Sequence, residues 1–302
     1  MRKIVVPTDF SEQADNALEL ACDMAEHLPD VEITVIHVIE HTKKNTVFLG
    51  SSSLDTTGQW SKKPDMNDVF FIELYRKRRS QMQELMDNPR FTSLKIEDKI
   101  MRGNAYQAIE DEIVDTNADL IIMGTTGIND WEESLIGSTA EKVVRHASCP
   151  VLTLRKKISF DDISNIAFAS DFSGINTPFL NIPKSIQEYF HAKLHFVFIN
   201  TPSNFRNERD IRKIMSDYAK ENNFDNYKLH IYSHFNEEEG IVSFIEDYDM
   251  DMVILSTHGR TGFIRLFEHS IAEDVVNYSK KPVLTFNLHN LKKREEKAAK
   301  LA

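Results

Sequence analysis

Two cysteines, Cys22 and Cys149, are all that a chain of 302 residues carries. That excludes a disulfide framework and any paired-cysteine metal or redox site. Both fall in stretches that read as buried helix or its exit, so free buried thiols are expected. Long apolar runs are missing too, and none approaches the roughly 18 to 20 residues of a membrane helix. The apolar start between Lys3 and Pro7 falls short of the roughly 7 to 15 residues of a secretory core. A cytoplasmic protein with no membrane partner is the expectation. Positive charge is also scarce: 36 Lys and Arg against 47 Asp and Glu leave a net charge of −11. Nucleic-acid backbones are held chiefly by Lys and Arg, so no nucleic-acid partner is expected. No Walker lysine, GxSxG elbow or HExxH pair occurs. His258 and His269 lie eleven apart and His37 sits in a buried-type strand, so neither a catalytic set nor a metal site emerges. Enzymatic activity is left open.

Alternation is present from end to end. KIVVPT is followed by the amphipathic SEQADNALELACDMAEHL and then EITVIHVIE, and the pattern runs on to PVLTLR. Strands alternating with helices argue for a parallel α/β sheet. The order then begins again, because NIAFASDFS echoes KIVVPTDFS and MDMVILSTHG echoes ADLIIMGTTG. HSIAEDVVNYSKKPVLTF likewise echoes GSTAEKVVRHASCPVLTL, an internal repeat that fixes the architecture before any motif does. The reading is two tandem, doubly wound, five-stranded parallel-sheet domains, 1–157 and 158–302.

Asp9 and Asp171 are offset by 162, whereas Gly127 and Gly259, Ser138 and Ser270, and Pro150 and Pro282 are each offset by 132. The first repeat therefore holds about 30 extra residues, assigned to the aperiodic, polar stretch 41–68. It is read as a lid, a partner site or a solvated insertion; Val47, Phe48, Leu49 and Trp60 give it something to dock. In doubly wound sheets ligands sit beyond the carboxyl ends of the strands at the switch point. MGTTGINDWEESLIGST falls there, with Gly124, Gly127 and Gly137 between a strand and a helix. Glycine amides and the free N–H groups of a helix start together suit phosphate. Ser138 could instead N-cap the helix, with Glu141 completing a capping box. Asp9 could accept hydrogen bonds from a ribose or an adenine edge, or cap the helix near Ser11.

The spacing Gly124, two residues, Gly127, nine residues, Gly137, Ser138 resembles the nucleotide motif of the universal stress protein family. KIVVPTDFS, IHVIE and SCPVLTLR are similar to that family as well, and the likeness spans nearly the whole chain in two copies. The resemblance implies an adenine nucleotide alpha-hydrolase-like fold and ATP, with or without Mg, as ligand. It implies that Pro7, Thr8, Asp9 and Val38 surround adenine and ribose. Met123 and Gly124 would pass along the ribose, and Gly127, Gly137, Ser138 and Thr139 would hold phosphates. It further implies pairing of the last strands, PVLTLR against PVLTFN, as an internal pseudo-dimer, and a homodimer of such chains. The family includes members that bind ATP and members that do not, and slow hydrolysis is reported for some.

Departures from the motif are specific. Asp130, Glu132 and Glu133 place acids in the nine-residue spacer; facing a phosphate at about 4 Å, each would cost up to about 4 kcal/mol, and facing solvent almost nothing. In the second repeat Ser256 and His269 replace two glycines while Gly259, Gly262 and Ser270 remain. That site is expected to be weak or empty, with Asp171 left as a structural cap, unless Arg260, Arg265 and His269 take another anion. The predicted function is a nucleotide-binding stress-response regulator with an unknown protein partner. The alternatives are a pairing scaffold without ligand or a slow ATP-hydrolysing enzyme. KKISFDDISN reads as a polar linker and HNLKKREEKAAKLA as a solvated tail.

Overall fold

The computed structural model of the chain describes residues 2–40, 66–125, 136–172, 181–256 and 271–301. Short β-branched runs form the strands, as their composition dictates. In the first half these are β1 (Lys3–Pro7), β2 (Glu32–Glu40), β3 (Lys95–Gly103), β4 (Leu120–Gly124) and β5 (Val151–Leu154). Between them lie α1 (Glu12–His27), α2 (Met66–Met86), α3 (Ala105–Thr116) and α4 (Ser138–His146). The second half repeats the order with β6 (Asn165–Ala169), α5 (Asn181–Phe190), β7 (Lys193–Asn200), α6 (Glu208–Glu221) and β8 (Tyr227–Ser233). It continues through α7 (Glu237–Asp247), β9 (Met252–Ser256), α8 (Ile271–Tyr278) and β10 (Val283–Phe286), and α9 (Leu288–Leu301) follows.

The strands join in one ten-stranded sheet ordered β3-β2-β1-β4-β5-β10-β9-β6-β7-β8. All neighbours are parallel except β5 and β10, which run antiparallel with Val151 facing Thr285 and Thr153 facing Val283. PVLTLR and PVLTFN therefore meet, as the internal pseudo-dimer requires. Thr153 donates its hydroxyl hydrogen to the Val283 carbonyl at 3.1 Å, a bond shielded from water because both central threonines are buried. Apolar side chains cover both faces, and each layer is continuous across the junction. Leu18, Leu152, Leu284 and Phe196 share one; Val143, Val151, Val275 and Val253 share the other. Cys22 and Cys149 are free and buried in opposite layers.

Three expectations are corrected. Residues 41–65 lie outside the described residues, but α2 begins at Met66, so the end of the expected 41–68 insertion is helix. The polar linker is anchored. Phe160 and Ile163 are buried, and the Phe160 ring stacks on His27 at 4.3 Å and packs on Phe190 at 5.0 Å. The supposed solvated tail is a docked helix: Leu291 is buried and Arg294 donates to Asn117 Oδ1 at 2.6 Å and the Ser148 carbonyl at 3.3 Å. The reason is the same in both places, because a few apolar or carbonyl-seeking side chains among many charges are enough to seat a segment on a neighbouring groove.

Candidate functional site

The chain steps outward from β1 to β2 and β3, then returns to place β4 and β5 on the other flank. The order reverses between β1 and β4, the switch point beyond whose carboxyl ends doubly wound sheets bind their ligands. Register brings the expected residues to that edge. Pro7 stands opposite Ile36, and Val5 beside Ile121. Val38 is level with Met101, Met123 with Thr153 and Gly124 with Leu154.

The turn after β1 is closed by side chains. Thr8 donates its N–H to the Ile36 carbonyl at 2.8 Å, and its hydroxyl accepts the Phe10 N–H at 3.0 Å. Asp9 Oδ1 accepts the Ser11 N–H at 3.1 Å. Ser11, not Asp9, is the N-cap of α1, accepting from the Ala14 N–H at 3.3 Å; Asp9 shapes the turn ahead of the helix. These bonds hold Phe10 at φ 65, a region an aromatic residue seldom occupies. Its ring thereby lies 4.7 Å from the His37 imidazole. His37 Nδ1 is 2.8 Å from the Thr8 carbonyl, so Nδ1 carries the hydrogen and Nε2 is left as the acceptor. Burial chiefly, and then the Arg78 charge, hold His37 below the ordinary histidine range against the pull of that carbonyl. Arg78, from α2, lies 5.7 Å over the Phe10 ring.

Gly124 has a mechanical reason to lack a side chain. A Cβ there would stand 2.7 Å from Gln13 Cβ and 2.9 Å from its backbone carbon, so the glycine lets α1 approach the end of β4. The chain continues through Thr125, which donates its N–H to the Leu154 carbonyl at 3.1 Å and accepts the Gly137 N–H at 2.7 Å. Gly137 is the N-cap of α4, at φ −64 and ψ 148, and among the described residues no side chain caps the helix. The expected capping box of Ser138 and Glu141 is absent: Ser138 is the first helical residue, and Glu141 reaches Arg145 at 3.5 Å. Among the described residues no side chain accepts at this cap, so the opening amides of Ser138 and Thr139 form the positive end of the helix dipole.

Pro7, Thr8, Asp9, Val38, Met123, Gly124, Gly137, Ser138 and Thr139 are assembled along one edge. Gly127, Asp130, Glu132 and Glu133 lie outside the described residues, as do Gly259, Arg260, Gly262, Arg265, His269 and Ser270. Sequence reasoning missed Gln13, Arg78 and the ring pair Phe10–His37. The signal for Phe10 was available, since DFS recurs at 171–173; the others depend on how α1 and α2 pack.

The second half reproduces the turn with different surroundings. Ser170 Oγ accepts the Phe172 N–H at 3.1 Å, and Phe172 takes φ 53. The ring of Phe172 packs on Phe168, Phe196 and Tyr218. Phe198 stands where His37 stands in the first half, one residue beyond the strand carbonyl that receives the turn. At the same edge burial raises Glu237 to about 7, against a hydrogen bond from Asn204.

The sequence model of the universal stress protein family matches residues 1–155 and 203–287. A universal stress protein of Methanocaldococcus jannaschii is 31% identical over 155 residues, 51% of this chain and 82% of that protein. A second from the same organism is 29% identical over 160 residues, 52% of this chain and 97% of its own. The crystal structure of a universal stress protein from Archaeoglobus fulgidus superimposes with a TM-score of 0.71 over 94% of this chain and 98% of that one, at 20% identity, which speaks to the fold. With the family's pattern present in both repeats and matched over most of the length, the chain belongs to the universal stress protein family.

Proposed function

We propose that the first half binds ATP at the β1/β4 crevice and that this occupancy makes the protein a regulator in the stress response. One observation carries the reading: α4 begins at Gly137, which among the described residues has no side-chain cap, just beyond β4 at the β1/β4 switch point. N–H groups at a helix start donate to phosphate oxygens without needing a charged side chain. In this reading adenine and ribose lie by Asp9, Val38 and Met123, the phosphates lie on Gly127, Gly137, Ser138 and Thr139, and Mg neutralises the phosphates. Family membership supports a nucleotide as the ligand class. Binding biases a partner-competent conformation, within the limit of ATP's differential affinity for the two states. The setting we propose is cytoplasmic, with chains paired as homodimers; among the described residues no helix is long and apolar enough to cross a membrane.

The test is the nucleotide released on denaturing the purified protein, followed by titration calorimetry with ATP. Bound adenine nucleotide, and an affinity lowered at least tenfold by Gly137→Val in a folded chain, support the reading. No released nucleotide and no heat with ATP leave a pairing scaffold. Steady product from labelled ATP, abolished by Gly127→Val, makes the protein a slow hydrolase.

A further inference from the structure

Two consecutive backbone amides fix the point where the chain enters α4, and they are held by different halves of the molecule. Gly137 donates to the Thr125 carbonyl at 2.7 Å within the first half. Ile136 donates to Asn277 Oδ1 at 2.8 Å, 141 residues away at the end of α8. The backbone that carries Asn277 is itself anchored, because Arg155, just past β5, donates to the main-chain carbonyl of Asn277 and to that of Val276 at 3.3 Å. A second tie runs parallel to it. Arg145 of α4 grips Glu273 of α8 with two hydrogen bonds, the first at 2.6 Å. Ile136 also packs its side chain on the apolar layer that α8 helps to build.

We propose that Asn277 is a positioning residue for the phosphate end of the first-half site, so that the C-terminal repeat sets the pose of the N-terminal one's amides. The inference rests on the nucleotide reading above. Asn277 touches no ligand; it fixes the backbone one residue ahead of Gly137. The position is asymmetric between the repeats, since the residue at the matching place in α4 is Arg145. Hence the second repeat, whose glycine pattern is degraded, retains a task in the first repeat's site.

The test compares Asn277→Ala and Asn277→Asp in the full chain. Asn277→Ala removes the acceptor of one partly buried N–H and should weaken ATP about fivefold, the effect of one hydrogen bond, while adenosine affinity stays unchanged. Amide exchange in the nucleotide-free protein reads the latch directly: Ile136 should exchange faster in Asn277→Ala and stay protected in Asn277→Asp, which keeps an acceptor oxygen. Unchanged ATP affinity in Asn277→Ala, an equal loss for adenosine, or unaltered exchange at Ile136 each overturns the proposal. A wild-type chain that binds no ATP overturns instead the nucleotide reading, and is recognised before any variant is compared.

Discussion

Gly124 is the residue whose absence of a side chain has the clearest mechanical cause. Its missing Cβ is the space in which Gln13 sits, at 2.7 Å from where that atom would be. Gly124→Ala should therefore push α1 off the end of β4 and destabilise the fold by about 1 to 3 kcal/mol, measured as a lower urea midpoint with the slope preserved. Glu237 makes the opposite case, a residue the fold tolerates at a cost. Burial lifts its carboxyl to about 7 from 4.5. Between those values the folded chain keeps a proton that the unfolded chain has released, so stability is full below pH 4.5 and declines as pH rises to about 7. Glu237→Gln should raise Tm at pH 8 and leave it unchanged at pH 4, read by circular dichroism in matched buffers.

At the scale of elements, the pairing of β7 with β8 brings two imidazoles together. His195 Nδ1 lies 3.1 Å from His230 Nε2, and His195 Nε2 is 3.3 Å from Asn165 Oδ1. An acceptor oxygen on one side makes His195 an Nε2–H tautomer, whose Nδ1 then accepts from His230. Burial first, then the His230, Lys228 and Lys193 charges, lower His195 to about 4 against the pull of Asp251. Burial likewise lowers His230, with Lys228 and Arg212 adding to it. The unfolded chain takes up protons below about 6.5 that the folded chain refuses, so stability should fall as pH drops from about 6.5 to 4. His195→Gln should flatten that slope in pH-dependent urea unfolding. The helix α9 offers a separate test, since it is seated by Leu291 and by Asn290 and Arg294 on carbonyls of the first half. Leu291→Ala should lower stability by about 2 kcal/mol, checked by chemical denaturation; an unchanged midpoint would return the segment to solvent.

For the molecule as a whole, the antiparallel β5/β10 seam and the α4–α8 contact convert two repeats into one body. Glu273 is 3% exposed and its charge is matched by Arg145. Arg145→Ala leaves a buried carboxylate unpaired and should cost about 3 to 5 kcal/mol, whereas replacing both partners by methionine should cost far less. A double-mutant cycle in guanidinium measures the difference. Because both apolar layers cross the seam, unfolding should follow a single transition in either background.

Much of this was legible beforehand. The repeat and the doubly wound α/β pattern follow from local periodicity and duplicated motifs, which short-range physics writes directly into sequence, whereas the meeting of PVLTLR with PVLTFN is implied only by the family resemblance. The placing of Asp9, Gly124 and Gly137 near the switch point follows from the fold class, while Pro7, Thr8, Val38 and Met123 are singled out by the family resemblance. Other features arise between segments far apart in the chain and left no local trace. Ser11 rather than Asp9 caps α1, and Gly137 rather than Ser138 caps α4, because a cap is chosen by the backbone angle at which the chain arrives. The burial of Phe160 and Leu291, the neutral His37 under Thr8 and the hold of Asn277 on Ile136 required the tertiary structure. Each depends on which surfaces meet, and that is settled by packing across the whole sheet.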